Sequence, residues 1–441
     1  MHPARFRSCL VVCCAVLFAA FSQIAAANTL CVTPGGSKLC YAKIQLAVNA
    51  ASNNDLINVA PGTYKEDVVI GKPLSLIGAG ADLSVIDATS LANGILLDGY
   101  NNPGLHTVTV AGFTVKNALY EGVLVVNTSG ATILNNRIMN NDKEGPVFGS
   151  GPACKGQPAY ETDESGDCGG AIHLLGAVNA MVAGNFIAGN ADGILISDDT
   201  AESRGNVIVN NIVTNNPLEC GIVLASHPPA GSTPPHYAPH YGVNHNTVAG
   251  NISSKNGVTV GGAGAGLFSD GEGPGRVSGN LITRNRLTGN GLPGVALHTH
   301  VGPAFGAPAD NMDGNAIIGN FIAGNGADTF DTATPGTAGI NINSGGGGSP
   351  VHGTIISQNV IQDEAVDIAV NNPVELDAHF NDLLGGNVGV ANVCALDLAA
   401  CTGSIDATEN FWGCTTGPGG SGCTTTSGSN ISFTPWLKHR E

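Results

Sequence analysis

The sequence predicts an all-β solenoid, one stack of short coils, and three observations carry that expectation. Asparagine recurs every five residues in four blocks, at Asn206, Asn211 and Asn216, at Asn246, Asn251 and Asn256, at Asn280, Asn285 and Asn290, and at Asn315, Asn320 and Asn325. A five-residue period cannot hold one face of a helix, whereas a short strand followed by a bend satisfies it. Asparagine tolerates the left-handed backbone region and hydrogen-bonds locally, which suits it to the bend. Second, the blocks begin 40, 34 and 35 residues apart (246 − 206, 280 − 246, 315 − 280), the spacing of a supersecondary unit that stacks on copies of itself. Third, glycine-led apolar strands recur: Gly193-Ile-Leu-Ile, Gly221-Ile-Val-Leu, Gly294-Val-Ala-Leu and Gly339-Ile-Asn-Ile. Residues one and three after each glycine point to the same side, so Ile194, Ile222, Val295 and Ile340 are expected in the core.

The elements follow in order. Arg5 and Arg7, an apolar run from Cys9 to Phe21 and the small residues Ala25-Ala26-Ala27 form the pattern of a secretory signal over residues 1–27. The run is too short for a membrane anchor, and nothing later in the mature chain is long enough to span a bilayer. Residues 28–441 then read as one solenoid, with 28–53 as its N-terminal cap and 376–441 as its last coils and C-terminal cap. Ile44, Ala47, Val48 and Ala51 fall at helical spacing, predicting a short helix over 41–53 that covers the otherwise exposed first coil. Strands are expected at 56–59, 66–70, 74–77 and 85–87, punctuated by Pro61-Gly62, Gly71-Lys-Pro73 and Gly78-Ala-Gly80. Coils occupy about 90–375. Insertions rich in Gly, Pro, His and Ser follow their strands at 225–245, 269–279, 298–314 and 343–353. Another lies at 142–168. Insertions at one place in successive coils gather on one flank and wall a groove.

The formal charge is −17 and only 12% of residues are charged. An acidic chain without a Lys/Arg cluster is no partner for nucleic acid. Close cysteine pairs suit an oxidising compartment, with bridges expected at Cys31–Cys40, Cys154–Cys168, Cys394–Cys401 and Cys414–Cys423; metal binding is the competing reading of these pairs. Cys220 is left over and expected to be a buried thiol outside any bridge. The protein is therefore read as secreted or periplasmic.

The segment Val59-Ala-Pro-Gly-Thr-Tyr-Lys-Glu-Asp-Val-Val-Ile70 with Lys72-Pro-Leu-Ser-Leu-Ile-Gly-Ala-Gly80 resembles the first coils of secreted parallel β-helix proteins. Ala407-Thr-Glu-Asn-Phe-Trp-Gly413, Gly417-Pro-Gly and Phe433-Thr-Pro-Trp436 resemble their last coils. The wider resemblance, over nearly the whole mature chain, is to the pectate-lyase-like superfamily and its NosD-like, carbohydrate-associated group. It implies a single right-handed parallel β-helix and a polysaccharide or oligosaccharide as partner. It does not fix an activity, since one fold hosts many. The catalytic signatures of well-known members do not occur: no Gly-His-Gly or Arg-Ile-Lys follows Asp198-Asp199, and neither Asp-Pro-His-Asp nor Gln-Asp-Thr-Leu is present.

Candidate site residues come from register. Counting six from each leading glycine gives Asp199 from Gly193, His227 from Gly221, Asp270 from Gly264 and His300 from Gly294. Gly266 competes with Gly264 and would move Asp270 by two. Stacking turns equal offset into adjacency, so these four are expected on one groove, walled by 227–245 and 298–314. Four residues on from Gly169 is His173, placed near Ser197 and in the column of His298. The 227–245 insertion concentrates His227, His236, Tyr237, His240, Tyr241 and His245. If the protein is catalytic, a polyuronate lyase or epimerase is favoured: His227 or His300 as base, Tyr237 or Tyr241 as acid, Arg276 or a divalent cation such as calcium against the sugar carboxylate. A glycoside hydrolase would pair Asp199 with Asp270. The alternative class is a non-catalytic surface or periplasmic β-helix, including a NosD-like metal-accessory role. No cofactor is assigned. His298, His300 and His227 are the candidate metal ligands. The plainer reading of Asp198-Asp199 is a strand-end turn capping backbone donors, and of the histidines, loop hydrogen bonds.

Overall fold

The computed structural model describes residues 27–142, 154–162, 169–232, 238–269, 273–300, 303, 306–329, 334–344, 349–371, 374–393 and 403–440. Its strands form a 14-stranded, an 11-stranded and a 12-stranded sheet, called here the first, second and third, and a 3-stranded fourth. One coil runs through Val207–Val209 in the first sheet, Ile212–Thr214 in the second and Ile222–Ser226 in the third. The next begins at Val243–Asn244 in the fourth and repeats the order through Thr247–Ala249, Ile252–Ser254 and Ala265–Ser269. Each strand pairs in parallel with its equivalents on neighbouring coils, as Ile222 does with Ile194 and Ala265. This is the single parallel β-helix that the sequence predicts.

Alternation fills the interior. Ile194, Ile222, Ala265, Val295 and Ile340 follow one another in register. The predicted inward residues Ile194, Ile222, Val295 and Ile340 are all fully buried. The glycine that leads each of these strands is required by close approach of the next coil. A Cβ on Gly264 would lie 2.7 Å from Gly294 O, and one on Gly294 2.8 Å from Gly339 O.

The asparagines do a different job from the expected one. The left-handed residue is the one before each ladder asparagine: Asn210, Asn215, His245, Lys255 and Arg284 all have φ between 55° and 57°, and Gly250, Gly279 and Gly289 hold equivalent positions. The ladder asparagine itself points inward. Asn251 accepts the Asn211 backbone N–H at 2.9 Å and its amide at 3.0 Å, and donates to Ile208 O and Asn285 Oδ1. At each corner the backbone leaves the sheet ladder, and the asparagine column satisfies the groups so exposed.

The helix, Ile44–Ala50, is shorter than predicted and buries Ile44, Ala47 and Val48. Its N-terminus is capped from a distance: Glu66 accepts the Ile44 and Gln45 N–H groups, each at 2.9 Å, placing a carboxylate at the positive end of the helix. Strands escaped the sequence reading, among them Val243–Asn244 and Val277–Ser278, which lie within the expected insertions at 225–245 and 269–279, and two near the N-terminus. Thr29–Val32 pairs with Asp55–Val59, and Gly62–Tyr64 pairs with Ser84–Asp87 although Pro61-Gly62 reads as pure punctuation. Disulfides join Cys31 to Cys40 and Cys414 to Cys423, with Cα separations of 4.7 and 5.1 Å. Cys220 is buried outside any bridge and its Sγ accepts the Ala263 N–H at 3.1 Å. Cys168, Cys394 and Cys401 lie outside the described residues, and with them the expected Cys154–Cys168 and Cys394–Cys401 bridges. The signal segment does too, but for its last residue. No helix among the described residues is long and apolar enough to cross a membrane.

Candidate functional site

The candidate column lies just beyond the third sheet. Ser197, Ala225, Phe268 and His298 are in register on successive coils, so Asp199, His227, Asp270 and His300 each sit two residues further on. Ala265 pairs with Ile222 and Val295, which makes Gly264 rather than Gly266 the leading glycine. Asp270 itself lies outside the described residues. His227 and His300 are two coils apart, about 10 Å by coil spacing. The first outward column of this sheet is apolar over the same coils: Leu195, Val223 and Ala296 pack with Cys220, Ala225, Ala263, Phe268 and Leu292.

A continuous line of buried polar groups crosses these coils. His173 Nδ1 lies 3.2 Å from Glu161 Oε1 and 3.3 Å from Glu121 Oε1. Its Nε2 lies 2.7 Å from Ser197 Oγ. Ser197 donates its single proton to Asp199 Oδ2 at 2.5 Å, so its oxygen accepts from His173. His173 Nε2 therefore donates to Ser197, and Nδ1 faces two carboxylate oxygens at ion-pair distance, surroundings that favour the protonated ring. Burial pulls its pKa down, but Glu161 and Glu121 outweigh that and hold it well above the usual histidine value. Asp199 Oδ2 is 3.3 Å from His227 Nδ1, and Asp199 Oδ1 accepts the Thr162 N–H at 2.7 Å and approaches Thr162 Oγ1 at 2.9 Å. Burial would raise the Asp199 pKa; His227 and then the other partners hold it far below the usual carboxylate range. Asp199 is ionised and fixed.

Asp198, its neighbour, faces the other way and caps backbone, as the turn reading of Asp198-Asp199 has it. It accepts the His227 N–H at 2.7 Å, the Ser226 hydroxyl at 3.1 Å and the Gly242 N–H. Burial pushes its carboxyl up to about 7, against those backbone bonds. Ser226 Oγ also accepts the Arg276 N–H at 3.1 Å and lies 3.0 Å from His240 Nδ1, and burial lowers His240 to about 4. These bonds carry the 238–242 segment back to the strand ends. Tyr241 is exposed on that rim. Arg276, one coil on and opposite Gly242 by the Val243–Val277 register, is exposed too, with Nε 3.4 Å from Ser278 Oγ. His236 and Tyr237 lie outside the described residues.

His173 departs from its expected register. It pairs with Leu195, not Ser197, because Ala171 holds the place of the leading glycine and the Gly169-Gly170 pair is misleading. Its long side chain still reaches Ser197. His298 and His300 bring their Nε2 atoms to 2.9 Å, with Phe268 packed on His298 at 4.5 Å between centroids. Two imidazole nitrogens on one side are what a shared transition-metal ion would use. Glu121, Glu161, Thr162 and Ser226 were not anticipated. Only Asp-Asp beside a histidine-rich insertion signalled that buried partners were needed.

Among solved structures, the catalytic domain of a GH87 alpha-1,3-glucanase in complex with nigerose is 14% identical over 92% of this chain and 68% of its own, with a TM-score of 0.57. The catalytic unit of a thermostable GH87 alpha-1,3-glucanase from Streptomyces thermodiastaticus strain HF3-3 is 17% identical over 95% and 71%, with a TM-score of 0.52. At such identity the likeness concerns the fold. A cell surface glycoprotein of Methanothermus fervidus is 33% identical over 105 residues, which is 23% of this chain and 16% of the relative; the chain thus matches only a small part of that protein. The family described as right handed beta helix region matches residues 81–305, just over half of the sequence. With the parallel coils already in view, the chain belongs to the right-handed β-helix family.

Proposed function

We propose that this protein is exported and binds or processes a polysaccharide through the outer flank of the third sheet, and that any reaction it catalyses is elimination or epimerisation at a uronic acid unit. The observation that carries this reading is the Asp199–His227 pair. Asp199 is ionised and its Oδ2 faces His227 Nδ1, so the proton of a neutral ring sits on Nδ1 and Nε2 is the basic nitrogen. A carboxylate-oriented imidazole is the group required to take the C5 proton of a uronate. The rim supplies the remaining parts: Tyr241 as acid, and Arg276 or a divalent cation such as calcium against the sugar carboxylate. His300, half-buried two coils away, is the second imidazole on the same line. Hydrolysis by paired carboxylates is a poorer fit, because the Asp199 carboxylate is already held by Thr162, Ser197 and His227. Two disulfides and a cell surface glycoprotein among the relatives support export.

The test is incubation of the secreted protein with a panel of polyuronates and neutral glucans, with and without calcium. Elimination is read as ultraviolet absorbance of the unsaturated product, epimerisation by proton NMR, and hydrolysis by new reducing ends. The expected result is turnover of a polyuronate that falls by about 100-fold or more in His227→Ala, as loss of a general base requires. Binding without turnover would make the protein a polysaccharide-binding β-helix. Release of reducing ends alone would favour the hydrolase, and full activity in both His227→Ala and His300→Ala would remove the histidines from the mechanism.

A further inference from the structure

A second constellation lies on the outer face of the first sheet, on different strands from the Asp199–His227 line. Val374–His379 and Ser404–Asp406 pair in parallel with Asp377 directly opposite Asp406. His379 follows Asp377 by two and so shares its face. Ligand atoms of the three side chains all lie within 4.8 Å of one another. We propose that Asp377, His379 and Asp406 form a divalent transition-metal site.

Two carboxylates directly opposed on neighbouring strands repel. Among the described residues neither has a lysine or arginine partner; the only ion-pairing group is His379, whose Nε2 is 4.0 Å from Asp406 Oδ2. His379 Nδ1 lies 2.9 Å from Thr408 O. A carbonyl only accepts, so Nδ1 carries a proton, and Nε2 is the ring nitrogen turned toward the carboxylate oxygens, the position from which it would bind a shared cation.

Thr408 holds Asp406 by its N–H at 3.1 Å and its hydroxyl at 2.8 Å, both to Oδ1, which leaves Oδ2 facing His379. A ring N–H on a backbone carbonyl and a hydrogen-bonded carboxylate are the usual outer shell of metal ligands. One imidazole and two carboxylates select zinc or manganese rather than calcium, which prefers oxygen alone. Ligand bonds of about 2.0–2.2 Å need the donors about 3–3.5 Å apart. Asp377 and Asp406 are exposed and His379 is half-buried, so side-chain rotation closes the difference. Three protein ligands leave further positions for water or for an oxygen of a bound ligand.

The experiment is calorimetric titration of the EDTA-stripped chain with zinc, and separately with calcium, for the wild type, Asp377→Asn, His379→Ala and a His298→Ala/His300→Ala double variant. Asp377→Asn is informative because no described hydrogen bond depends on that carboxylate; without a metal it only relieves repulsion and leaves zinc binding unchanged. The double variant removes the other imidazole pair. The expected result is zinc binding tighter than calcium, weakened about tenfold or more in Asp377→Asn and in His379→Ala, and kept in the double variant. Absence of zinc binding by the wild type, unchanged affinity in either single variant, or loss confined to the double variant would overturn the proposal. Unchanged affinity with His379 protonated at neutral pH by NMR would identify a proton as the neutralising species.

Discussion

Replacing Asn251 by alanine tests what holds the coils in register. Its side chain is buried and makes four hydrogen bonds, two to donors of Asn211 and two from its own amide to Ile208 O and Asn285 Oδ1. Alanine removes all four. Asn285 Oδ1 keeps the Asn251 backbone N–H at 2.9 Å, but the Asn211 N–H and one Asn211 amide hydrogen lose their partner in the dry interior. At about 1–3 kcal/mol for each orphaned donor, with a small cavity added, the cost is about 3–5 kcal/mol. Asn251→Asp should cost at least as much, because it turns two donated bonds into facing acceptors and buries a charge. Urea unfolding followed by tryptophan fluorescence gives the global effect. Hydrogen exchange at Asn211 gives the local one, since loss in a solenoid falls mainly on neighbouring coils. A cost below about 1 kcal/mol for the alanine, or an aspartate as stable as wild type, would refute the load assigned to the ladder.

Other outcomes follow from the same structure. Glu364 ends one asparagine column, accepting the Asn325 N–H at 2.8 Å and its amide at 3.0 Å, and burial pushes its carboxyl up to about 7. A raised carboxylate contributes stability that is complete below its ordinary value of 4.5 and is lost as pH rises through about 7. Glu364→Gln should therefore raise the thermal midpoint at about pH 8 and change it little at about pH 4; equal effects at both would contradict this. His240 has the opposite sense: lowered to about 4, its contribution is present above 6.5 and lost as pH falls between the two. His240→Gln should flatten that acid limb in a pH series of thermal melts. Gly250, at φ 64°, precedes a ladder asparagine, so Gly250→Ala should cost about 1–2 kcal/mol, whereas Lys255→Gly at φ 56° should cost nothing or stabilise by up to about 1 kcal/mol.

The fold was legible because its rules are local and repeated. Glycine, then alternating apolar residues, placed Ile194, Ile222, Val295 and Ile340 correctly, since side-chain direction alternates whatever the tertiary context. The five-residue asparagine period gave the coil but not the asparagine's role, because a side chain that bonds to the coils on either side leaves the same mark in sequence as one that bends its own backbone. Register brought Asp199, His227 and His300 into one line by the same logic. It failed at His173, where two adjacent glycines and an alanine compete to lead the strand. Glu161 and Thr162 were illegible because they arrive on an insertion without periodicity. Asp377 and Asp406 were illegible because their coils carry one ladder asparagine each, Asn381 and Asn410, in place of a three-asparagine block.

The outer flank of the third sheet is the proposed working surface. Hydrogen exchange of the protein with and without a bound polysaccharide, chosen from the panel above by binding, tests it most directly. Slowed exchange is expected to concentrate in Ile222–Ser226, Val295–Thr299 and the 238–242 rim. Protection confined to the outward faces of the first and second sheets, with those segments unchanged, would contradict it.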